Sequence, residues 1–118
     1  RKTQSRKGNF DKLLEIIRTE KDSELRRLAL SNLKSFSGWS TKDGVIETLI
    51  QMYDSENDEE LKISIIRTLA SAKENQAVMK LLSIAKSDKS DKMRLEAIRS
   101  LNNSDNPEVQ KFLEDLIK

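Results

Sequence analysis

Three stretches of this chain are nearly the same text: "DSELRRLALSNL" at Asp22–Leu33, "DEELKISIIRTL" at Asp58–Leu69 and "SDKMRLEAIRSL" at Ser90–Leu101. A catalytic motif is usually written once, whereas a segment that returns at a near-constant interval describes architecture. A second pattern recurs between these copies. The apolar template i, i+3, i+4, i+7 marks one face of a helix. It fits Phe10/Leu13/Leu14/Ile17, Ile46/Leu49/Ile50/Tyr53, Val78/Leu81/Leu82/Ala85 and Val109/Phe112/Leu113/Leu116, with starts 36, 32 and 31 residues apart. We call these helices A and the helices of the three near-copies B.

The B register aligns Leu25/Leu61/Met93, Ala29/Ile65/Ala97, Leu30/Ile66/Ile98 and Leu33/Leu69/Leu101 as core positions. The A-to-B turns "RTEKDS", "DSENDE" and "AKSDKSD" are rich in Ser and Asp, which accept hydrogen bonds from the free N–H groups of a helix start. Asn106–Pro107 supplies the same signal for the fourth A helix, with Pro at its tolerated first position. One A–B pair cannot bury both of its apolar stripes. Ordering the backbone costs roughly 1–2 kcal/mol per residue, and each buried Leu or Ile returns about 1.5–3 kcal/mol. Stacked pairs share one core and solve the deficit. The expected fold is all-α, a right-handed α-solenoid of three helical hairpins and one terminal helix. Its repeats run over residues 10–42, 43–74, 75–104 and a partial 105–118.

The repeated pattern Asp–x–x–Leu–Arg–x–x–Ala–x–x–x–Leu, at Asp22, Leu25, Arg26, Ala29 and Leu33, resembles the second helix of a HEAT repeat. More narrowly it is similar to the short HEAT-like repeats of phycobilin lyases, common in bacterial proteins. The second copy departs with Lys62 and Ile65, and the third keeps Arg94, Ala97 and Leu101 but has Asp91 one residue late. The stretches "LIQMYDSENDEELKISIIRTLA" and "LLSIAKSDKSDKMRLEAIRSL" also look like HEAT-like repeats of bacterial cell-envelope proteins. The resemblance covers residues 10–118. It implies a solenoid whose B helices line a concave face, and an envelope or periplasmic location with the cytoplasm left open. It is specific for fold and not for task.

Composition removes several chemistries. The chain has no Cys and no His, so it can form no disulfide, thiol nucleophile, imidazole base or His/Cys zinc site. No Gly-rich phosphate loop is present, and no cofactor is expected. The acids of "DSENDEE" alternate as in a calcium loop. An EF-hand loop needs Gly at its sixth place and Glu at its twelfth, where this chain has Glu59 and Ile65. The segment therefore reads as a solvated turn, and no metal is expected. Carboxylates fall in turns and on outward positions, with no inward pair for acid–base catalysis. The chain is read as a non-enzyme.

Charge is uneven. Residues 1–9 carry Arg1, Lys2, Arg6 and Lys7, a net +4, which leaves −2 of the total +2 for residues 10–118. Residues 1–9 read as a basic flexible tail or linker. Four charges without interleaved aromatics fall short of a nucleic-acid signature. Arg26, Lys62 and Arg94 share a repeat position and are expected to pair with acids of neighbouring turns such as Asp22 or Asp58. Trp39, in the longest connection, is expected to fold over the apolar seam near Phe36.

Opposite the core register, one B position holds Arg27, Ile63 and Leu95, the next holds Ser31, Arg67 and Arg99, and Lys34 lies a turn beyond Arg27. This basic ladder with an apolar middle is the candidate site for a protein or peptide partner of acidic or amphipathic character. Ile63 and Leu95 either anchor an apolar group of that partner or pack sideways between B helices. The alternatives are a structural spacer within a longer repeat protein and, in a different class, a nucleic-acid-binding array.

Overall fold

The computed structural model describes residues 2–118, with side chains from residue 8 onward. Among the described residues, seven α-helices follow one another: α1 Lys2–Thr19, α2 Ser23–Leu33, α3 Val45–Ser55, α4 Glu59–Ala72, α5 Asn75–Ser87, α6 Asp91–Ser100 and α7 Pro107–Leu116. A 3₁₀ turn, Trp39–Thr41, interrupts the α2–α3 connection. Helices α1, α3, α5 and α7 are the A helices, and α2, α4 and α6 the B helices. Residues 2–9, expected as a tail or linker, lie within α1.

The turn chemistry explains where the helices start. Asp22 accepts from the Glu24 amide at 2.9 Å, Asp58 from Leu61 at 3.0 Å, and Ser90 from Met93 at 3.2 Å. Asn106 takes both Glu108 and Val109, with Pro107 opening α7. These side chains satisfy amides that no helical carbonyl can reach. The long connection turns through Gly38 and Gly44, both in the left-handed region, where a Cβ would be strained. Trp39 is buried in the core, and Phe36 meets Phe10 edge to face at 5.4 Å. Ser40 ties the loop to the α4–α5 corner through Glu74 at 3.3 Å.

A helices pack on their own B helices, and the B helices pack on one another in the order α2, α4, α6. The result is an extended stack of 55 × 28 × 17 Å. Its radius of gyration, 14.9 Å, exceeds the value of about 13.5 Å expected for a compact chain of this length. One continuous core runs through it, from Phe10 and Ile17 to Leu101 and Val109.

Side-chain exposure shows which flank of each B helix faces which neighbour. Leu61 and Met93 are buried, yet Leu25 at the same repeat position is 47% exposed. Leu25 was expected in the core. Its flank faces the preceding B helix in α4 and α6, and among the described residues no B helix precedes α2. The exposed Leu28 and Ile16 belong to the same edge of the stack. Truncation tests this directly. Leu61→Ala should cost about 2–5 kcal/mol, whereas Leu25→Ala at the same repeat position should cost less than about 0.5 kcal/mol. Urea denaturation of the two variants measures the difference, and equal losses would refute the flank assignment.

Candidate functional site

Two surfaces differ in how they are built: the edge formed by the A-to-B turns, and the outward side of the B helices. The turn edge follows the same plan in each repeat. Glu20, Glu56 and Asp88 occupy one register position, and each accepts the backbone amide two residues later, at 3.4, 3.0 and 2.9 Å. The preceding repeat then reaches over to the second and third of these carboxylates. Arg26 meets Glu56 at 2.8 Å while its Nε donates to the Ile17 carbonyl at 2.9 Å. The Tyr53 hydroxyl donates to Asp88 at 2.6 Å, and the Lys62 ammonium lies over the Tyr53 ring, 4.5 Å from its centre.

The basic repeat position is thus structural, with partners other than those expected. Arg26 takes Glu56 of the next turn, not Asp22 or Asp58, because the two acids at the helix start are already used as caps. Lys62 takes an aromatic face, and Arg94 donates to the Asp88 carbonyl and to Asp91. Two further acids of "DSENDEE" are also engaged: Asp54 holds Lys80 at 2.6 Å and Glu59 lies 3.6 Å from Lys92. Among the described residues, no group of three potential metal-binding side chains comes together.

These contacts set the acid–base behaviour of the edge. Burial works to raise the Asp88 carboxyl, but hydrogen bonds from Tyr53 and the Ser90 amide, with Lys62 and Arg94 nearby, outweigh it and hold it low. Burial first, then the hydrogen bond to Asp88 and the Asp88 and Asp54 charges, push the Tyr53 phenol well up. The Leu61 amide and the Ser23 hydroxyl hold the partly buried Asp58 low. A lowered carboxyl adds stability that is complete above roughly pH 4 and fades as pH falls through the folded value. A raised phenol adds stability that is complete below roughly pH 10 and fades as pH rises through the folded value. Melting temperature should therefore fall at both extremes of a pH 3–11 series followed by circular dichroism. Tyr53→Phe should flatten the alkaline limb and weaken the acid one. An unchanged profile in Tyr53→Phe would show that the Tyr53–Asp88 bond contributes nothing.

The outward side of the B helices brings only part of the sequence-derived ladder together as free surface. Arg27 pairs with Glu24 on its own helix. Arg67 reaches across to α6, where its Nε donates to Glu96 at 3.0 Å and Nη2 at 3.5 Å. Arg67 remains 65% exposed in this pair while Glu96 is 12% exposed. Ser31, Lys34 and Arg99 are exposed, and among the described residues no salt bridge involves Lys34 or Arg99. Ile63 is half-buried against the core, whereas Leu95 is 47% exposed.

Ile63 and Leu95 differ although they share a repeat position. The position lies about 60° around the helix from the core residue Ile66, on the flank that faces the following B helix. In α4 that neighbour is α6. Among the described residues no B helix follows α6, so Leu95 meets solvent. Ile63→Ser should cost roughly 1–3 kcal/mol and Leu95→Ser less than about 0.5 kcal/mol, measured by chemical denaturation. A large loss for Leu95→Ser would show that it is packed.

Sequence reasoning missed Glu96, because no acid stands at its repeat position in the other B helices, which hold Leu28 and Ser64. It also missed a cleft of about 400 Å³ between the C-terminal ends of α4 and α6, lined in part by Ala70, Ser100 and Asn103. The only sequence signal was the small size of Ala70 and Ser100, which stand at the repeat positions of Lys34, the cap of α2, and Thr68 of α4.

No helix among the described residues is long and apolar enough to cross a membrane. A family model for HEAT repeats matches residues 46–118, from α3 to the end of α7, more than half of the chain. No curated protein and no solved structure matches it. The hairpins, the recurring turn carboxylates and this match agree, and the chain belongs to the HEAT repeat family.

Proposed function

We propose that the chain is a non-enzymatic scaffold that binds an acidic or amphipathic segment of another protein along the outward side of its B helices. HEAT repeats commonly mediate protein–protein interaction, and this surface has the chemistry for such a segment. The observation that carries the reading is the set of exposed cations Lys34 at the C-terminal cap of α2, Arg67 on α4 and Arg99 on α6, with Leu95 also exposed on α6. Neighbouring packed helices lie about 8–10 Å apart, so charges on adjacent rungs suit carboxylates spread along one bound segment. Arg67 is held by Glu96 yet keeps most of its surface in water, so its fork is already oriented. Arg27 and Ser31 extend the surface over α2, and Ile63 supplies its half-buried floor.

A second reading, a spacer within a longer repeat protein, draws on the exposed apolar groups at the two ends of the stack, Leu25 and Leu28 at one and Leu116 and Ile117 at the other. Selection of random twelve-residue peptides displayed on phage separates the two. The scaffold reading expects binders enriched in Asp and Glu whose affinity falls at least tenfold in Arg67→Ala/Arg99→Ala. Failure to enrich any binder, or binders indifferent to that variant, would overturn it. Affinity for a DNA duplex that falls steeply with salt would point instead to phosphate recognition.

A further inference from the structure

Among the described residues α7 is the one A helix with no B helix of its own, and its apolar face shows the difference. Leu116 stands at the repeat position of Ile17, Tyr53 and Ala85, all at most 4% exposed. That position is covered by the helix's own B partner: the Lys62 ammonium of α4 lies over the Tyr53 ring. Leu116 is 51% exposed, and Phe112 and Leu113 of α7 are only partly buried. On α6, the flank that faces a following B helix carries the exposed Leu95. The end of the stack thus presents the two apolar surfaces, one on α6 and one on α7, between which a B helix lies in each earlier repeat.

The α4–α6 junction shows what such a flank seats. There α4 uses three groups: Glu59 lies 3.6 Å from Lys92, Ile63 is half-buried against the core, and the Arg67 Nε donates to Glu96 at 3.0 Å. Residues four apart are neighbours on a helix surface, so acid, apolar group and guanidinium form one stripe. The same stripe recurs on α6, in the same order and spacing, as Asp91, Leu95 and Arg99. It is not a consensus of the repeat, since α2 has Ser23, Arg27 and Ser31 at these places. On α6 it reaches no neighbouring helix. Asp91 pairs with Arg94 of its own helix, and among the described residues no salt bridge involves Arg99.

The occupant's chemistry follows by complementarity with the junction already made. Opposite Asp91 it needs a cation and opposite Arg99 a carboxylate, the roles that Lys92 and Glu96 play opposite α4. Glu59 precedes Arg67 as Lys92 precedes Glu96, so the paired helices run parallel. Beside these charges it needs an apolar stripe to cover Leu95 and Leu116, as the buried Met93 and Ala97 provide in α6. We propose that the α6–α7 end of the stack seats one amphipathic helix of a partner protein, parallel to α6, with a Lys four residues before a Glu along its apolar stripe. The proposal rests on the scaffold reading; it makes the bound segment a helix and places it against Leu95, Arg99 and Leu116. Burying the apolar face of a helix in a groove is a general mode of peptide recognition.

The sequence of α6 has the required pattern and serves as the probe. A synthetic peptide of residues 88–104, with Leu95→Lys joined to Asp91 by a lactam that fixes the helix, is titrated into the protein and followed by fluorescence anisotropy. Thermal unfolding of each protein variant is recorded first. One peptide should bind per protein, about tenfold or more weaker to Leu95→Ser and to Leu116→Ser. Leu25→Ser/Leu28→Ser, at the other end of the stack, should leave binding unchanged. Arg99→Glu in the protein should weaken binding about tenfold or more, and Glu96→Arg in the peptide should restore it. If a Ser variant does not fold, this charge exchange decides. No saturable binding, binding indifferent to Leu95→Ser and Leu116→Ser, loss of binding in Leu25→Ser/Leu28→Ser, or failure of the charge exchange would overturn the helix seat. Self-association of the protein alone in sedimentation, abolished by Leu95→Ser, would overturn it in favour of a second copy. Phage-selected peptides that depend on Arg67 and Arg99 would in each of these cases leave the scaffold reading standing.

Discussion

Every B helix among the described residues has two flanks to cover, and a neighbouring B helix is what packs against a flank that is covered. That lateral burial is the constraint on which the rest of the structure depends. Leu61 and Thr68 on one flank of α4, with Ile66 on the other, are all at most 1% exposed. Each such apolar side chain contributes about 1.5–3 kcal/mol, so a hairpin taken from the stack would lose several of these contributions while keeping the full cost of ordering its backbone. Stability is therefore a property of neighbouring pairs more than of single repeats. The same rule explains the exceptions. Leu25, Leu28 and Leu95 carry core-like side chains on flanks with no neighbouring B helix among the described residues.

The turn edge adds a polar lock to this apolar stacking, and the two junctions achieve it with different chemistry. At the first, a guanidinium bridges Glu56 and a helix-terminal carbonyl, both partly buried. At the second, a phenol takes Asp88 and the cation is displaced onto its ring. Both carboxylates also accept a backbone amide, so their lone pairs are occupied and the cost of burying charge is offset. In each case a group of one repeat completes the turn of the next. The turn is then correctly formed only when the repeats are correctly stacked.

The B-helix surface shows how folding consumes part of a charge pattern. Arg27, Arg67 and Lys92 are all engaged with carboxylates of the protein itself. Exposed pairs of this kind contribute little to stability, with a median of about 0–1 kcal/mol, so their effect is more to orient side chains than to hold helices together. What stays without a salt bridge on this side, among the described residues, is a sparser set of cations than the ladder in the sequence, Lys34 and Arg99.

The sequence by itself determined the helices, their order and most of the core. Periodicity and N-cap residues are local signals, and three copies of them reinforce one another, so helical register alone assigns Leu61, Ile65, Leu69 and Leu101 to the core. The family was legible for the same reason, in the text of α2, α4 and α6. The tertiary structure alone decided which equivalent positions are equivalent in fact. Leu25 and Leu61 are identical in register and type, and Ile63 and Leu95 nearly so, yet one of each pair meets solvent, because burial depends on a neighbour in space that helical periodicity does not encode. Pairing was decided there too. Arg26 finds Glu56, thirty residues away, and Arg67 finds Glu96, because ion pairs follow from the distance between turns and helices after they have stacked. The cleft between α4 and α6 is likewise a product of packing, since its lining comes from α4, α5, α6 and the turn before α7, which meet only once the repeats are assembled.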